Sequence, residues 1–146
     1  MLALIQRVSN AAVDIAEERV AEIGPGLLVM VCIQPNDDMA LAQRLIQRLL
    51  KLRVFADNQG RFNHSLTETQ GGLLLVPQFT LAADLTGGHR PSFSGAASPE
   101  QGRQLFDQLV EAAKQHWPQT AAGVFGADMQ VNLVNDGPVT LWLELK

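Results

Sequence analysis

Two runs of apolar residues constrain the fold of this chain more than any other feature of its sequence. The first is LLVMVCI at 27–33, and the second is LLLV at 73–76, which Gly71 and Gly72 precede. A short run that is apolar at every position is typical of a strand buried on both faces. Pro77 follows the second run, and because proline has no N–H for a ladder, we expect a strand end, an edge or a bulge there.

Two other segments show the periodicity of amphipathic helices. The first follows Asn36-Asp37 and carries apolar residues at helical spacing to about Leu52. The second begins at Ser98-Pro99-Glu100-Gln101, which provides an N-cap, a proline in the first helical position and a glutamine for a capping box. It is predicted to end before Pro118. The predicted buried faces are Met39, Ala42, Leu45, Ile46, Leu49 and Leu50 in the first helix, and Leu105, Phe106, Leu109, Val110 and Ala113 in the second.

The remaining segments have the pattern of strands and turns. LALIQRV at 2–8 alternates, and AAVDIAEERVAEI at 11–23 suggests one or two strands before a turn at Gly24-Pro25-Gly26. RVF and RFN, on either side of an Asn-Gln-Gly turn, suggest a short hairpin. The segment NDGP at 135–138 lies between two strand-like runs, GVFGADMQVNLV and VTLWLEL, and we expect it to join them as a turn.

The order of these elements predicts the fold class. Strands, a helix, strands, a second helix and strands follow one another, with hairpins in place of regular βαβ alternation. We therefore expect an α+β fold with a mixed or antiparallel, barrel-like sheet and two main helices. The 146 residues contain no repeat, low-complexity tract or linker, so residues 1–146 are predicted to form a single domain.

Composition and charge exclude several classes of protein. Charged residues make up 18% of the chain and hydrophobic residues 47%, and no apolar stretch reaches the length of a membrane span. The first ten residues have no basic region ahead of an apolar one, so we expect a cytoplasmic protein. The net charge of −4 argues against a protein that binds nucleic acid by bulk electrostatics, and no DNA partner is expected. Arg44, Arg48 and Lys51 nevertheless share one helical face, which is either a solvated face or a phosphate-contacting stripe.

The sequence gives little sign of general catalytic machinery. Cys32, the only cysteine, lies in an apolar run and is expected to pack as a small hydrophobe. His64, His89 and His116 lack metal-ligand spacing, and no phosphate-binding or nucleophile-elbow motif occurs, so neither a metal nor a cofactor is expected. Without an accompanying base, Thr80 reads as a packed strand residue, and Gln78 as a strand residue pointing outward.

Two motifs taken together indicate a family. PQFTLAAD at 77–84 and NDGPVT at 135–140 resemble the signature segments of D-aminoacyl-tRNA deacylases, which remove D-amino acids from mischarged tRNA. LIQRV, GLLVMV, RPSFS and FGADMQV occur in the family's order, so the resemblance covers nearly the whole chain. One position departs from it, because Pro77 stands where the family generally has a serine. That serine hydroxyl cannot be an essential nucleophile here if the chemistry is retained.

The resemblance implies an editing hydrolase that cleaves the ester of D-aminoacyl-tRNA. Gln78, Phe79 and Thr80 would line the catalytic pocket, with backbone N–H groups near the ester carbonyl. The 2′-hydroxyl of the terminal adenosine of the tRNA would assist the attack, so that orientation and preorganised donors replace a protein nucleophile. The resemblance gives less support to a mechanism in which Thr80 itself is the nucleophile. The implied substrate-binding residues are Gly137, Pro138, Arg7, Pro77 and Met129.

The resemblance also implies how the enantiomers are distinguished. The Gly137–Pro138 bond would be cis, and the pair would project from one subunit of a homodimer into the pocket of the other, where rigid main chain excludes an L side chain. Arg7 would brace the pair. Glycyl-tRNA, which has no side chain to reject, would also be cleaved. Two alternatives stay open: an RNA-binding domain that has lost catalysis, with Pro77 as its mark, and a general esterase that uses Thr80.

Overall fold

A computed structural model describes residues Met1–Lys146. Six strands form a mixed sheet in the order β2-β1-β3-β6-β7, with β8 paired to the other edge of β1, and β4 and β5 form a separate hairpin. The predicted α+β fold with a barrel-like sheet and two main helices is confirmed. The strands are β1 (Leu2–Ile15), β2 (Glu18–Ile23), β3 (Gly26–Cys32), β4 (Phe55–Ala56), β5 (Phe62–His64), β6 (Gly72–Pro77), β7 (Thr120–Ala122) and β8 (Gln130–Glu144); the helices are α1 (Met39–Lys51), α2 (Leu66–Thr69) and α3 (Pro99–His116).

The long strand β1 organises the sheet. Its first half pairs with β3 and its second half with β2, both antiparallel, while β8 occupies its other edge. The pairing with β3 is in one continuous register, whereas the pairing with β2 shifts between Val13 and Asp14. The chain reverses at Ala16-Glu17, where both residues have positive φ, as tight hairpins require. The turn predicted at Gly24-Pro25-Gly26 is therefore only an interruption between β2 and β3, and the first reversal lies eight residues earlier than the glycine and proline pattern indicated.

The two apolar runs form the adjacent parallel strands β3 and β6, and both are buried on both faces. Leu27 and Leu73 belong to the larger core, which α1 and α3 cover. Leu28 and Leu74 point the other way, into a smaller core enclosed by β1, β2 and β8. Pro77 is the last residue of β6, which confirms the expected strand end.

The contact between β3 and β6 begins at a pair of glycines, Gly26 and Gly72, which are partners in the parallel register. A Cβ built on Gly26 would lie 2.0 Å from the carbonyl oxygen of Gly72. Gly26→Ala is therefore expected to lower the free energy of unfolding by about 3 kcal/mol, at the upper end of the usual cost of overpacking. Urea denaturation would measure it. Gly24→Ala is the control, because a Cβ on Gly24 meets no atom within 4 Å; equal effects of the two substitutions would contradict the argument.

α3 is capped by the predicted residue, whereas the cap of α1 lies one residue beyond the predicted Asn36-Asp37 region, because the Asp37 carboxylate accepts instead from the N-terminal amine and from the N–H of Gln34. Asp38 caps α1 by accepting a hydrogen bond from the N–H of Leu41 at 2.8 Å, and Ser98 caps α3 by accepting from the N–H of Gln101. The capping box predicted at Gln101 is only half formed, because its side-chain amide donates to the carbonyl oxygen of Pro35 at 2.7 Å. That bond ties the beginning of α3 to the loop before α1. None of the three helices combines the length and apolar character that a membrane-crossing helix needs.

Candidate active site

A largely apolar cavity of about 620 Å³ lies at the carboxyl end of β6. Its walls come from the end of that strand, from the start of α3 and from the loop that precedes β8. The lining residues are Val76, Pro77, Gln78, Phe79, Phe93, Ala96, Ala97, Pro99, Phe125, Gly126, Ala127, Met129 and Val131. Concave apolar surfaces with a few polar groups are the usual form of small-ligand sites.

The polar groups of this cavity come from a turn that follows β6. After Pro77 the chain leaves the sheet, and Phe79–Ala82 form one turn of 3₁₀ helix. Thr80 is exposed on this turn and is not the packed strand residue that its β-branched side chain suggested. Gln78 does not point outward from a strand either. It lines the cavity, and its side-chain amide donates a hydrogen bond to the Thr80 hydroxyl.

The same turn presents main-chain donors. The first N–H groups of a helical turn have no acceptor within it, and in a 3₁₀ turn that begins at Phe79 these belong to Phe79 and Thr80. The N–H of Gln78 is different, because it bonds the carbonyl oxygen of Val31 at 2.8 Å and fixes the turn to β3. The arrangement can therefore offer hydrogen bonds to an oxygen atom held against the turn.

Aromatic rings form the apolar part of the wall. Phe79 is 53% exposed, and its ring meets that of Phe93 edge to face, with centroids 5.1 Å apart. Phe125 lies across the cavity under the guanidinium of Arg103, which is 5.2 Å from the ring centroid. Neither Phe93 nor Phe125 was a candidate site residue, although both lie in segments that carry the family resemblance. Their positions depend on how distant loops meet, which a local pattern does not reveal.

No activated nucleophile faces this cavity. Cys32 is buried beneath the turn, where its thiol lies 3.5 Å from the carbonyl oxygen of Phe79, and burial raises the pKa of this thiol. It remains a protonated, structural cysteine, as predicted. Hydrogen bonds from the hydroxyl and the N–H of Thr86 lower the pKa of Asp84, so this carboxylate stays ionised and holds its own loop. Thr80 has no hydrogen bond to a histidine or a carboxylate.

The NDGP segment is not the hairpin turn that the sequence suggested. β8 runs through it as one strand of 15 residues and remains paired with β1 on both sides. Between the pairs Gln6↔Thr140 and Val8↔Asn135, Arg7 alone faces Asp136–Val139. The segment is therefore an enlarged β-bulge with four residues opposite one, which we call the Gly-Pro bulge and define as Asp136–Val139. Its turn-forming residues are compatible with a hairpin turn and with a bulge in a continuous strand, so the composition alone does not distinguish the two.

The Gly-Pro bulge is held from both sides. The side chain of Asn135 closes its base, accepting from the N–H of Val139 and donating to the hydroxyl of Thr140, both at 2.8 Å. Arg7 donates to the carbonyl oxygen of Asp136 at 3.0 Å and to that of Val54 at 2.7 Å. Gly137 has a φ of 137°, and its bond to the following proline is cis, as the resemblance implies.

The predicted site residues thus fall into two groups. Pro77, Gln78, Phe79 and Met129 line the cavity, with Thr80 beside them on the turn. Gly137 and Pro138 belong to the Gly-Pro bulge, Arg7 binds it from β1, and none of the three lines the cavity of its own chain.

Comparison with known proteins identifies the family of the chain. The family model for D-Tyr-tRNA(Tyr) deacylase matches residues 4–144, a span that contains the cavity, the turn and the bulge. The chain belongs to this deacylase family. It is 60% identical over 141 residues to the D-aminoacyl-tRNA deacylase of Methylibium petroleiphilum, covering 97% of this chain and 93% of that protein. It is 59% identical to the D-aminoacyl-tRNA deacylase of Ectopseudomonas mendocina, covering 99% of this chain and all of the other.

Solved structures support the same fold. The c-Myc DNA Unwinding Element Binding Protein superposes with a TM-score of 0.93 at 34% identity, covering all of this chain and 99% of the other. A probable eukaryotic D-amino acid tRNA deacylase superposes with a TM-score of 0.85 over 99% of this chain and 98% of the other, and at 16% identity it shows the fold alone. The family recognised from the PQFTLAAD and NDGPVT motifs is confirmed. The chain is an enzyme of the deacylase family, a class of hydrolases.

Proposed function

We propose that the protein hydrolyses the ester bond of D-aminoacyl-tRNA and releases a free D-amino acid and tRNA. The observation that carries this proposal is the pairing of two features in a member of the deacylase family. One is a cavity whose polar rim is the Gln78–Thr80 turn, and the other is a rigid main-chain bulge at Gly137-Pro138. Together they provide a place for an aminoacyl adenosine and a means of testing its chirality.

Catalysis in this proposal depends on position and polarisation. The N–H groups of Phe79 and Thr80 polarise the ester carbonyl and stabilise the oxyanion that forms as it is attacked. The 2′-hydroxyl of the terminal adenosine assists water at the neighbouring ester, because the substrate itself brings that group to the reacting centre. Two observations support catalysis by the substrate hydroxyl and not by a protein nucleophile. The cavity lacks an activated nucleophile, and the hydroxyl of Thr80 accepts a hydrogen bond from the side-chain amide of Gln78.

The chiral test in this proposal is made across a homodimer. The outer face of β8 carries the Gly-Pro bulge between Val134 and Trp142, whose side chains are 52% and 54% exposed. The second edge of β8 is unpaired, and an open edge flanked by apolar side chains favours association with another copy. A two-fold axis beside this face would send each bulge toward the cavity of the other subunit. Its main chain then excludes an L side chain and accepts the α-amino group of a D-amino acid.

Two further properties follow from exclusion as the basis of selectivity. Glycyl-tRNA passes the test, because glycine has no side chain for the bulge to reject. Many D-amino acids are accepted, since the side chain of a D-residue points away from the excluding wall. We place this activity in the cytoplasm, where aminoacyl-tRNA is used.

The proposal predicts hydrolysis of D-Tyr-tRNA with sparing of L-Tyr-tRNA by the same preparation of protein. Release of radiolabelled tyrosine from the two substrates, measured side by side, tests it. A difference in rate of at least about a hundredfold is expected, equivalent to about 2.7 kcal/mol between the two transition states. Equal rates on both enantiomers would exclude a chiral editing enzyme.

The same assay separates the two alternatives. An RNA-binding domain without catalysis would leave both esters intact or protect them. A general esterase acting through Thr80 would also cleave small activated esters such as p-nitrophenyl acetate, and would lose that activity completely in Thr80→Ala. We expect no such cleavage, because the Thr80 hydroxyl has no base to activate it.

A further inference from the structure

A second concave surface lies along α1, away from the cavity. It is a groove of about 810 Å³ between the exposed face of α1 and the end of α3, and we call it the α1 groove. Its lining residues are Ala40, Gln43, Arg44, Gln47, Arg48, Lys51, Leu52, Arg53 and His116. The groove contains the predicted basic face of Arg44, Arg48 and Lys51. Arg53, from the chain after α1, and His116, from the last turn of α3, complete its lining.

The groove concentrates positive charge in an acidic protein. The chain has 11 lysine and arginine residues against 15 acidic ones, and four of the 11 line this groove together with no carboxylate. Helix surfaces that are merely solvated usually interleave both signs, since carboxylates and ammonium groups one turn apart stabilise each other. α1 has no acidic residue in its 13 positions.

No side-chain carboxylate forms an ion pair with the cationic groups of the groove. Arg53 donates to Asn63 through both its Nε and its Nη2 atoms, and Arg44 donates to the main-chain oxygen of Lys146 at 3.1 Å. Arg48 and Lys51 make no hydrogen bond or ion pair with another side chain. Arg44, Arg48 and Lys51 span about 10 Å along the helix axis, long enough to face more than one phosphate of a nucleic-acid strand.

The groove also adjoins the Gly-Pro bulge. Val54 follows Arg53 directly, and its carbonyl oxygen accepts from Arg7, which also binds the carbonyl oxygen of Asp136. One guanidinium therefore ties the end of the groove to the element that faces the substrate in the proposed dimer. RNA whose terminal adenosine lies under the bulge would pass close to this end of the groove.

We propose that the α1 groove binds the sugar-phosphate backbone of the tRNA acceptor stem and positions the aminoacylated end for hydrolysis. This inference rests on the proposed function for its substrate. Arg48 and Lys51 are the principal contacts, with Arg44 and Arg53 beside them. Because the contacts are to phosphate, they are independent of sequence and contribute equally to all tRNAs.

The test compares two substrates that share the scissile ester. D-Tyr-tRNA carries the acceptor stem, whereas 3′-D-tyrosyl-adenosine has the ester and no phosphate backbone. In the variant Arg48→Gln/Lys51→Gln, KM for D-Tyr-tRNA is expected to rise on the order of tenfold with kcat unchanged. The slope of log K for tRNA binding against log salt concentration is expected to become shallower by about two. Hydrolysis of 3′-D-tyrosyl-adenosine is expected to remain at the parent rate.

Arg61→Gln/Lys114→Gln is the matched control, because both side chains lie outside the groove and, like those of Arg48 and Lys51, make no ion pair. An unchanged KM in the groove variant, an equal rise in the control, or equal losses on both substrates would overturn the inference. Binding of uncharged tRNA tests the phosphate-binding role of the groove separately from catalysis. If the parent protein hydrolysed neither ester, the proposed function would fail, while weaker binding of uncharged tRNA by the groove variant alone would still support the phosphate site.

Discussion

Replacing the 2′-hydroxyl of the terminal adenosine of D-Tyr-tRNA with hydrogen is expected to lower kcat by about 10²–10⁴-fold, the usual contribution of a well-placed proton-transfer group. The reason lies in what surrounds the proposed catalytic turn. Cys32 is buried and protonated, and no histidine hydrogen-bonds Thr80. A substrate that has lost its own hydroxyl would find no substitute in the protein.

Thr80→Ala is the matched change on the protein side, and it is expected to retain most of the activity. Its N–H group is preserved, and the side-chain amide of Gln78 loses only a neighbour that water can replace. Single-turnover hydrolysis of 2′-deoxy and normal substrates by both proteins would measure the two effects. A silent 2′-deoxy substitution combined with an inactive Thr80→Ala would identify Thr80 as the nucleophile and overturn the proposed mechanism.

Gly137→Ala is expected to reduce the preference for D-Tyr-tRNA over L-Tyr-tRNA by tenfold to a hundredfold. At a φ of 137° an L-residue is strained, at a cost on the order of 1–3 kcal/mol. The added Cβ would also lie 2.7 Å from Cγ2 of Val139 and 3.1 Å from the guanidinium of Arg7. The bulge must therefore shift, and its main chain no longer excludes the L side chain.

Gly60→Ala separates local strain from a role in selectivity. Gly60 also has a positive φ, of 74°, but a Cβ there meets no atom within 4 Å. Gly60→Ala is expected to lower the free energy of unfolding and to leave the ratio of the hydrolysis rates of D-Tyr-tRNA and L-Tyr-tRNA unchanged. A Gly137→Ala protein that remains folded by circular dichroism and keeps the parent ratio would contradict a role for the bulge in chiral selection.

Mixed dimers test whether the bulge acts on its own chain or on the partner. One subunit would carry Gly137→Ala with an intact cavity, and the other an intact bulge with its cavity blocked by Gln78→Trp. In the proposed arrangement the single working cavity receives the intact bulge and stays selective. When both changes are placed on one subunit, the working cavity receives the altered bulge and loses selectivity. The opposite result would place the bulge over the cavity of its own chain.

Elements whose signals are local could be predicted from the sequence. The beginnings of α1 and α3 could be placed to within about one residue, because the capping side chains of Asp38 and Ser98 bond an N–H only three residues away. β3 and β6 were recognisable because an uninterrupted apolar run leaves few alternatives to burial. The two motifs of the family were also readable without the fold, since they are contiguous in sequence.

Features that depend on pairing between distant segments could not be predicted. NDGP has the composition of a hairpin turn, and only the register of β8 on β1 shows that the strand continues beyond it. The first reversal falls at Ala16-Glu17, which carries no glycine, because sheet pairing imposes positive φ on both residues. Phe93 and Phe125 reach the cavity from two loops whose separation in sequence conceals their proximity.

The clamping of the Gly-Pro bulge within a continuous strand limits how its length can change during evolution. A loop at the end of a hairpin can lose a residue without disturbing its neighbours. In β8, a deletion within Asp136–Val139 must either shorten the projection or slip every later pair with β1 by one residue. Such a slip would turn Leu141 and Leu143 from the core toward solvent. Point substitutions can therefore alter the chemistry of this segment gradually, whereas its number of residues is fixed by the sheet on either side.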